Sequence, residues 1–211
     1  MIKTRFAPSP TGEPHIGNIR TALFAWLFAR SHNGKFFLRI EDTDKTRERA
    51  GAVFEIIKSL EWRSLDYDPI SKNEPIMFQS SRLPIYERHA LDLLKKGEAY
   101  ACLCSSERLA NLREEQMRVH LPPRYDGLCR DKKHDYTPGQ SVIRMKMPMQ
   151  GTTELDDLIR GKVKFENKLI DDQVLIKSDG YPTYHLANVV DDYSLEITDV
   201  IRGEDWLPST P

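Results

Sequence analysis

Two short apolar runs near the N-terminus, with one helix-length segment between them, constrain this chain more than any other feature. IKTRF (2–6) and KFFLRIE (35–41) have the length and the aliphatic and aromatic character of buried strands. Between them, IGNIRTALFAWLFAR (16–30) places Ile19, Ala22, Leu23, Trp26 and Leu27 on one helical face. Phe24 and Phe28 widen that face, so the reading predicts a helix buried nearly all round, and Gly34 fits its stop. Strand, tight loop, helix and strand make a βαβ unit with parallel strands and a right-handed crossover. The chain therefore opens an α/β domain built on a doubly wound parallel sheet.

Two further helices are expected, over about 49–60 (RAGAVFEIIKSL) and 82–96. After Gly97 the texture changes to AYACLCSSERL, a polar helical run and PPRYDGLCRDKKHD, which reads as an inserted module. SVIRMKM and GKVKFEN alternate in polarity and predict an antiparallel β region within it. From 181 the first texture returns: YPTYHLANVVDDY reads as a helix and ITDVIRG as another apolar strand. The division expected is 1–81 for the first half of the sheet domain, 82–180 for an α+β insertion and 181–211 for the start of the second half. Because a doubly wound sheet rarely stops at the start of a turn, the chain reads as a piece of a longer protein.

No run is long enough to cross a bilayer and MIKTRFAPSP has no signal-peptide pattern, so a cytoplasmic location is expected. Three cysteines do not make a disulfide framework. A net charge of −1 gives no global attraction to polyanions, so any RNA binding must come from a local patch.

Four features carry chemistry, each with a plainer alternative. PSPTGEPHIGNIR (8–20) sits between a strand and a helix N-terminus, where α/β folds bind phosphates, with Gly17 allowing close approach; a rigid surface turn with an incidental His15 fits equally. It contains neither G-x-G-x-x-G nor a P-loop pattern. RIEDTDKTR (39–47) brings three acids to the end of the second strand, where Glu41 could take an ammonium group; a capping role suits Asp44 better. Arg5 and Arg202 lie near the ends of two core segments and suggest an anionic ligand, whereas Arg5 could instead pair internally, for instance with Glu41. Cys102-x-Cys104 and, after 24 intervening residues, Cys129 suit a structural zinc site lacking one ligand, with Tyr125, Asp131 and His134 nearby; three buried apolar cysteines are the alternative.

APSPTGEPHIGN, RIEDTD, SDGYPTYHLANVVDD and DVIRGEDWLPSTP, in this order, resemble the bacterial-type glutamyl-tRNA synthetases, a family of class I aminoacyl-tRNA synthetases. The resemblance runs from residue 2 to the last residue. It implies a Rossmann-type catalytic domain split by a connective insertion that grips the acceptor end of tRNA(Glu). It also implies ATP-dependent attachment of L-glutamate through a glutamyl-adenylate, with ATP and Mg2+ as substrate and ion. HIGN matches the family's first ATP signature, giving His15 and Gly17 phosphate and adenine contacts, with Asn18 where a second histidine usually stands. Arg5, Ala7, Ser9, Glu41, Tyr184, Asn188 and Arg202 match glutamate contacts, and Asp205 and Trp206 lie where ATP contacts fall. The cysteines match zinc-binding members, with Tyr125 as fourth ligand and Asp131 or His134 as alternatives. The resemblance further implies a monomer that binds neither membrane nor DNA. The family's KMSKS-type lysine loop and anticodon-binding domain are expected beyond residue 211, so the 211 residues alone are expected to be a poor catalyst. A glutamylating paralogue that modifies a tRNA nucleoside, and a zinc-stabilised RNA-binding module without chemistry, are the competing readings.

Overall fold

Strands β1 (Lys3–Phe6) and β2 (Lys35–Ile40) pair in parallel, with Lys3 opposite Lys35 and Phe6 opposite Leu38, and helix α1 (Ile16–Ser31) connects them. The computed structural model describes residues 1–211, which fall into two units: Met1–Leu83 with Ala187–Leu207, and Pro84–Leu186 with Pro208–Pro211.

In the first unit a two-residue strand, β3 (Met77–Phe78), extends the parallel sheet in the order β1-β2-β3. β2 is central and its last five residues are buried, as a strand covered on both faces must be. Side chains alternate along a strand, so Phe36, Leu38 and Ile40 share one face and Phe37 and Arg39 the other. The first face packs with Phe6, Ala22, Ala25, Ala29, Ile56, Leu60 and Leu65 into the core, which takes in α1 and helix α2 (Ala52–Trp62). Thr4 also faces α1, and its hydroxyl donates to the Ala25 carbonyl at 2.8 Å. Arg5 pairs in register with Phe37 and so shares the opposite face with Arg39. Gly34 must be bare: a Cβ there would lie 2.3 Å from the Ile2 carbonyl oxygen.

Two expectations for this unit are corrected. Helix α1 is not buried all round: Ala22, Ala25 and Ala29 form its buried line, while Ile16, Leu23, Phe24 and Leu27 are exposed. The small residues let the helix backbone approach the strands, which turns the large ones outward. DVIRG forms no strand. Thr198 and Asp199 N–H donate to the Lys3 carbonyl, but the Lys3 N–H donates to the Thr198 hydroxyl instead of a backbone carbonyl, so no ladder propagates. Ile201 still packs on the core as an apolar side chain.

The opening loop is tied down through its prolines. Pro8 and Pro10 are both buried, and their carbonyls accept from the Glu41 N–H at 3.0 Å and the Arg49 N–H at 2.9 Å.

The second unit contains most of α3 (Leu83–Lys96) and an antiparallel sheet of β4 (Ala99–Cys102), β5 (Val142–Met145) and β8 (Val174–Ile176), with β5 central. Helix α4 (Ser106–Arg118) follows β4 and is capped by Ser105, whose hydroxyl accepts from the Arg108 N–H at 3.2 Å. β6 (Thr152–Asp157) and β7 (Gly161–Glu166) form a hairpin with Leu158 and Ile159 exposed in its turn. Buried Asp172 organises the region: it accepts from Tyr100 Oη at 2.7 Å, from Arg130 at 2.5 and 2.6 Å, and from the Met147 N–H at 3.0 Å. Helix α5 (Tyr184–Leu195) belongs to this unit up to Leu186 and to the first from Ala187. No helix is long and apolar enough to cross a membrane.

Candidate functional site

The face of β1 and β2 opposite the α1 core carries an ionic cluster. Arg5 is buried and its Nε donates to both oxygens of Asp192, at 3.0 and 3.1 Å. Arg39 is fully buried and donates to Asp192 Oδ1 at 2.5 Å, Glu41 Oε1 at 3.0 Å and Asn188 Oδ1 at 2.8 Å. Asn188 and Asp192 stand one turn apart on α5 and therefore on one helical face. Burial opposes the charge on Arg39, but Glu41 and Asp192 outweigh it and hold the guanidinium pKa above its ordinary value. Burial raises the Glu41 carboxyl above its ordinary range, although Arg39 pulls against the shift. The Arg5–Glu41 pair considered from the sequence is not the one formed: Arg5 takes Asp192 and Arg39 takes Glu41.

The other acids of RIEDTD serve structure. Buried Asp42 accepts from the Ser80 N–H at 2.8 Å and from its hydroxyl at 2.5 Å. Asp44 accepts from Thr46 at 2.7 Å and Arg47 at 2.6 Å, which lowers its pKa to about 2. It closes the turn after β2 and does not cap α2, whose N-cap is Gly51.

At the start of α1, His15 is the N-cap. Its Nδ1 accepts from the Gly17 N–H at 3.2 Å, and Asn18 Oδ1 accepts from the His15 N–H at 3.1 Å. An accepting Nδ1 leaves the ring proton on Nε2, and an accepting Oδ1 leaves the Asn18 amide nitrogen as donor. Gly17 leaves room beneath this ring, since a Cβ would crowd His15 Cε1 and Nδ1 at 3.0 Å. His15 is exposed at a helix N-terminus, where backbone dipoles favour anions. Ala7 is half-buried and Ser9 exposed on the preceding loop. Arg202 stacks its guanidinium 4.6 Å above the Trp206 ring, while Asp205 is exposed with its Oδ1 against Gly203. Tyr184 lies in the other unit, edge-on to His185 with ring centroids 5.7 Å apart.

In the second unit, Cys102, Cys104 and Cys129 place their sulfurs within 4.8 Å of one another, and Cys104 and Cys129 are 3.7 Å apart. Tyr125 Oη lies 3.4 Å from the Cys102 sulfur and 3.5 Å from that of Cys104, and accepts from the Cys129 N–H at 2.9 Å. Tetrahedral zinc with Zn–S near 2.3 Å and Zn–O near 2.0 Å sets sulfurs about 3.8 Å apart and a sulfur and an oxygen about 3.5 Å apart. The three thiols and the phenol fit that donor set. Asp131 is instead paired with Lys146 at 3.1 Å, and His134 is not part of the cluster. Burial pushes the Cys104 thiol up to about 11 and raises the Tyr125 phenol. Burial also raises Cys102, but bonds from Tyr125, the Cys104 backbone and Arg144 outweigh it and leave this thiol below its ordinary value. A cavity of about 450 Å³ opens beside Tyr125, lined by Gln116, Arg124, Arg130, Met149 and Asp171 among others.

Residues 1–211 match the family model for the catalytic domain of class I tRNA synthetases (E and Q). The chain belongs to this family. It is 53% identical over 213 residues to the glutamate–tRNA ligase of Dehalococcoides mccartyi strain BAV1, covering 100% of this chain and 44% of that protein. Its identity to the glutamate–tRNA ligase of Thermodesulfovibrio yellowstonii is 49%, again covering 100% of this chain and 44% of the relative. The crystal structure of a glutamate–tRNA ligase from Elizabethkingia meningosepticum, in complex with its amino acid, superposes with a TM-score of 0.86 at 39% identity, covering 99% of this chain and 45% of that one. The enzyme from Elizabethkingia anophelis gives 0.87 at 39%, over 99% and 46%. The chain thus spans about 44% of the length of its curated relatives, and the Rossmann-type class I fold expected from the sequence is the fold of its solved neighbours.

Arg39 and Asp192 are members of the ionic cluster on β1 and β2 that sequence reasoning missed. Arg39 had a signal: it interrupts the apolar run FFLRI, and a charge inside a core strand needs partners. The signal for Asp192 was its spacing of four residues from Asn188.

Proposed function

We propose that the chain carries the amino-acid and ATP sites of a glutamate–tRNA ligase. Such an enzyme attaches L-glutamate to tRNA(Glu) through a glutamyl-adenylate. The observation that carries this is the buried cluster of Arg5, Arg39, Glu41, Asn188 and Asp192. With Nε of Arg5 on Asp192, its Nη groups are left to donate to the side-chain carboxylate of glutamate. The second oxygen of Glu41 can accept the α-ammonium group, and Ala7, Ser9 and Arg202 complete the pocket. The α-carboxylate then attacks the α-phosphate of ATP and expels pyrophosphate. No protein nucleophile takes part, so the site works by positioning and by stabilising charge. His15 Nε2–H and the Asn18 amide, at the positive end of α1, donate to the phosphates, while Gly17, Asp205 and Trp206 border the adenosine. Mg2+ bound to ATP offsets the phosphate charge.

Cys102, Cys104, Tyr125 and Cys129 hold a structural Zn2+, which fastens the β4–α4 connection to the 125–129 turn. The module around it receives the acceptor end of the tRNA. The test is calorimetric titration of the 211-residue protein with L-glutamate and, separately, with ATP. Arg5→Ala is expected to weaken glutamate binding at least about a hundredfold, through loss of a charge-assisted bidentate contact, and to leave ATP binding unchanged. Glutamate affinity unaltered by the substitution overturns this pocket.

A further inference from the structure

Arg39 holds three acceptors, two on α5 and one just past the end of its own strand, while its own Nε is buried and has no hydrogen-bond partner. In a strand of Phe36, Phe37, Leu38 and Ile40, an apolar side chain would fill the same space without burying a cation or stranding a donor. The guanidinium is explained by the orientation it imposes.

A guanidinium only donates, so the atom of Asn188 facing it must be the amide oxygen. The Asn188 nitrogen is thereby turned to the opposite side, where it can only donate. In the same way, Arg39 takes Glu41 Oε1 and leaves Oε2 as an acceptor. Asp192, shared between the two arginines, sets Arg5 so that its Nη groups remain as donors. One buried fork thus fixes an acceptor for an ammonium group and two sets of donors for carboxylates. That distribution complements an acidic amino acid.

We propose that Arg39 is a positioning residue of the amino-acid pocket: it does not touch the ligand but fixes the amide orientation of Asn188 and the free oxygen of Glu41. The inference rests on reading this cluster as the glutamate site. Arg39→Lys keeps the charge but replaces the planar fork with a single nitrogen, which cannot serve three acceptors in the same directions. Calorimetry is expected to show glutamate binding weakened about thirtyfold or more, as for the loss of two oriented hydrogen-bonding groups, with ATP binding and cooperative melting retained. A loss of less than about threefold, below the worth of one such hydrogen bond, overturns it.

Side-chain NMR of the unsubstituted protein covers the case in which the lysine variant does not fold. Glutamate should shift the Asn188 amide resonances and leave the slowly rotating Arg39 Nη protons in place. Movement of the Arg39 protons without the Asn188 amide makes Arg39 a direct contact and overturns the positioning role. If glutamate does not bind at all, the pocket assignment fails. The positioning role is then judged without ligand: an Asn188 amide that rotates freely in the unliganded protein overturns it, and one locked against Arg39 supports it.

Discussion

Tyr125→Phe separates a metal ligand from a hydrogen-bonding neighbour. The substitution removes one oxygen, which accepts from the buried Cys129 N–H at 2.9 Å and lies 3.4 and 3.5 Å from two thiols. In metal-free protein the cost is that of stranding one buried donor, about 1–3 kcal/mol. In zinc-loaded protein a ligand is lost as well. Losses of outer contacts cost about 10–100-fold in metal affinity, so loss of a direct ligand should exceed about a hundredfold. At fixed free zinc well above Kd, that removes a further 2.7 kcal/mol or so of linked stabilisation. Urea unfolding in chelator and in buffered zinc reads the two contributions separately, and competition with a chromogenic chelator reads the affinity directly. Asp131→Ala and His134→Ala should change neither. Zinc affinity within about tenfold of the parent, a loss typical of a group that only supports the ligands, would refute the assignment of Tyr125 as the fourth ligand.

Two further outcomes follow from local geometry. Gly34→Ala drives a Cβ to 2.3 Å from the Ile2 carbonyl oxygen, a backbone atom that cannot yield without moving β1; a destabilisation of about 3 kcal/mol is expected in urea titration, at the upper end for overpacking. Asp44 should titrate at about 2 by carboxyl NMR. Its unfolded pKa is about 3.9 and the folded value is lower, so its contribution to stability is present above about pH 4 and is lost as the pH falls through 2.

Much of the secondary structure was readable because its elements follow local rules. The βαβ unit, α5 and the β5 and β7 strands all appear where periodicity placed them. What escaped depends on tertiary choices that periodicity does not encode. The α1 sequence offers both an alanine line and a bulky apolar line, and only the closeness of the strands selects the alanines for burial. DVIRG has strand composition, but one hydroxyl, that of Thr198, occupies the ladder at its start. In the site, Arg5 and Glu41 were named as candidates, yet their true partners were Asp192 and Arg39. Local sequence shows that a buried charge needs a partner, whereas the fold decides which one it meets across 187 or 153 residues of chain. The cysteine spacing pointed to a metal cluster, while the choice among Tyr125, Asp131 and His134 rested on which donor reaches the sulfurs.

The anchoring of the opening loop has a consequence for time as well as for place. Proline has no N–H, so Pro8 and Pro10 hold the segment after β2 through their carbonyls, and the matching protons sit on Glu41 and Arg49. The Glu41 amide proton can exchange with solvent only when the Pro8 carbonyl moves away. Its exchange rate is therefore an intrinsic clock for the opening of the loop, read at the residue whose side chain faces Arg39.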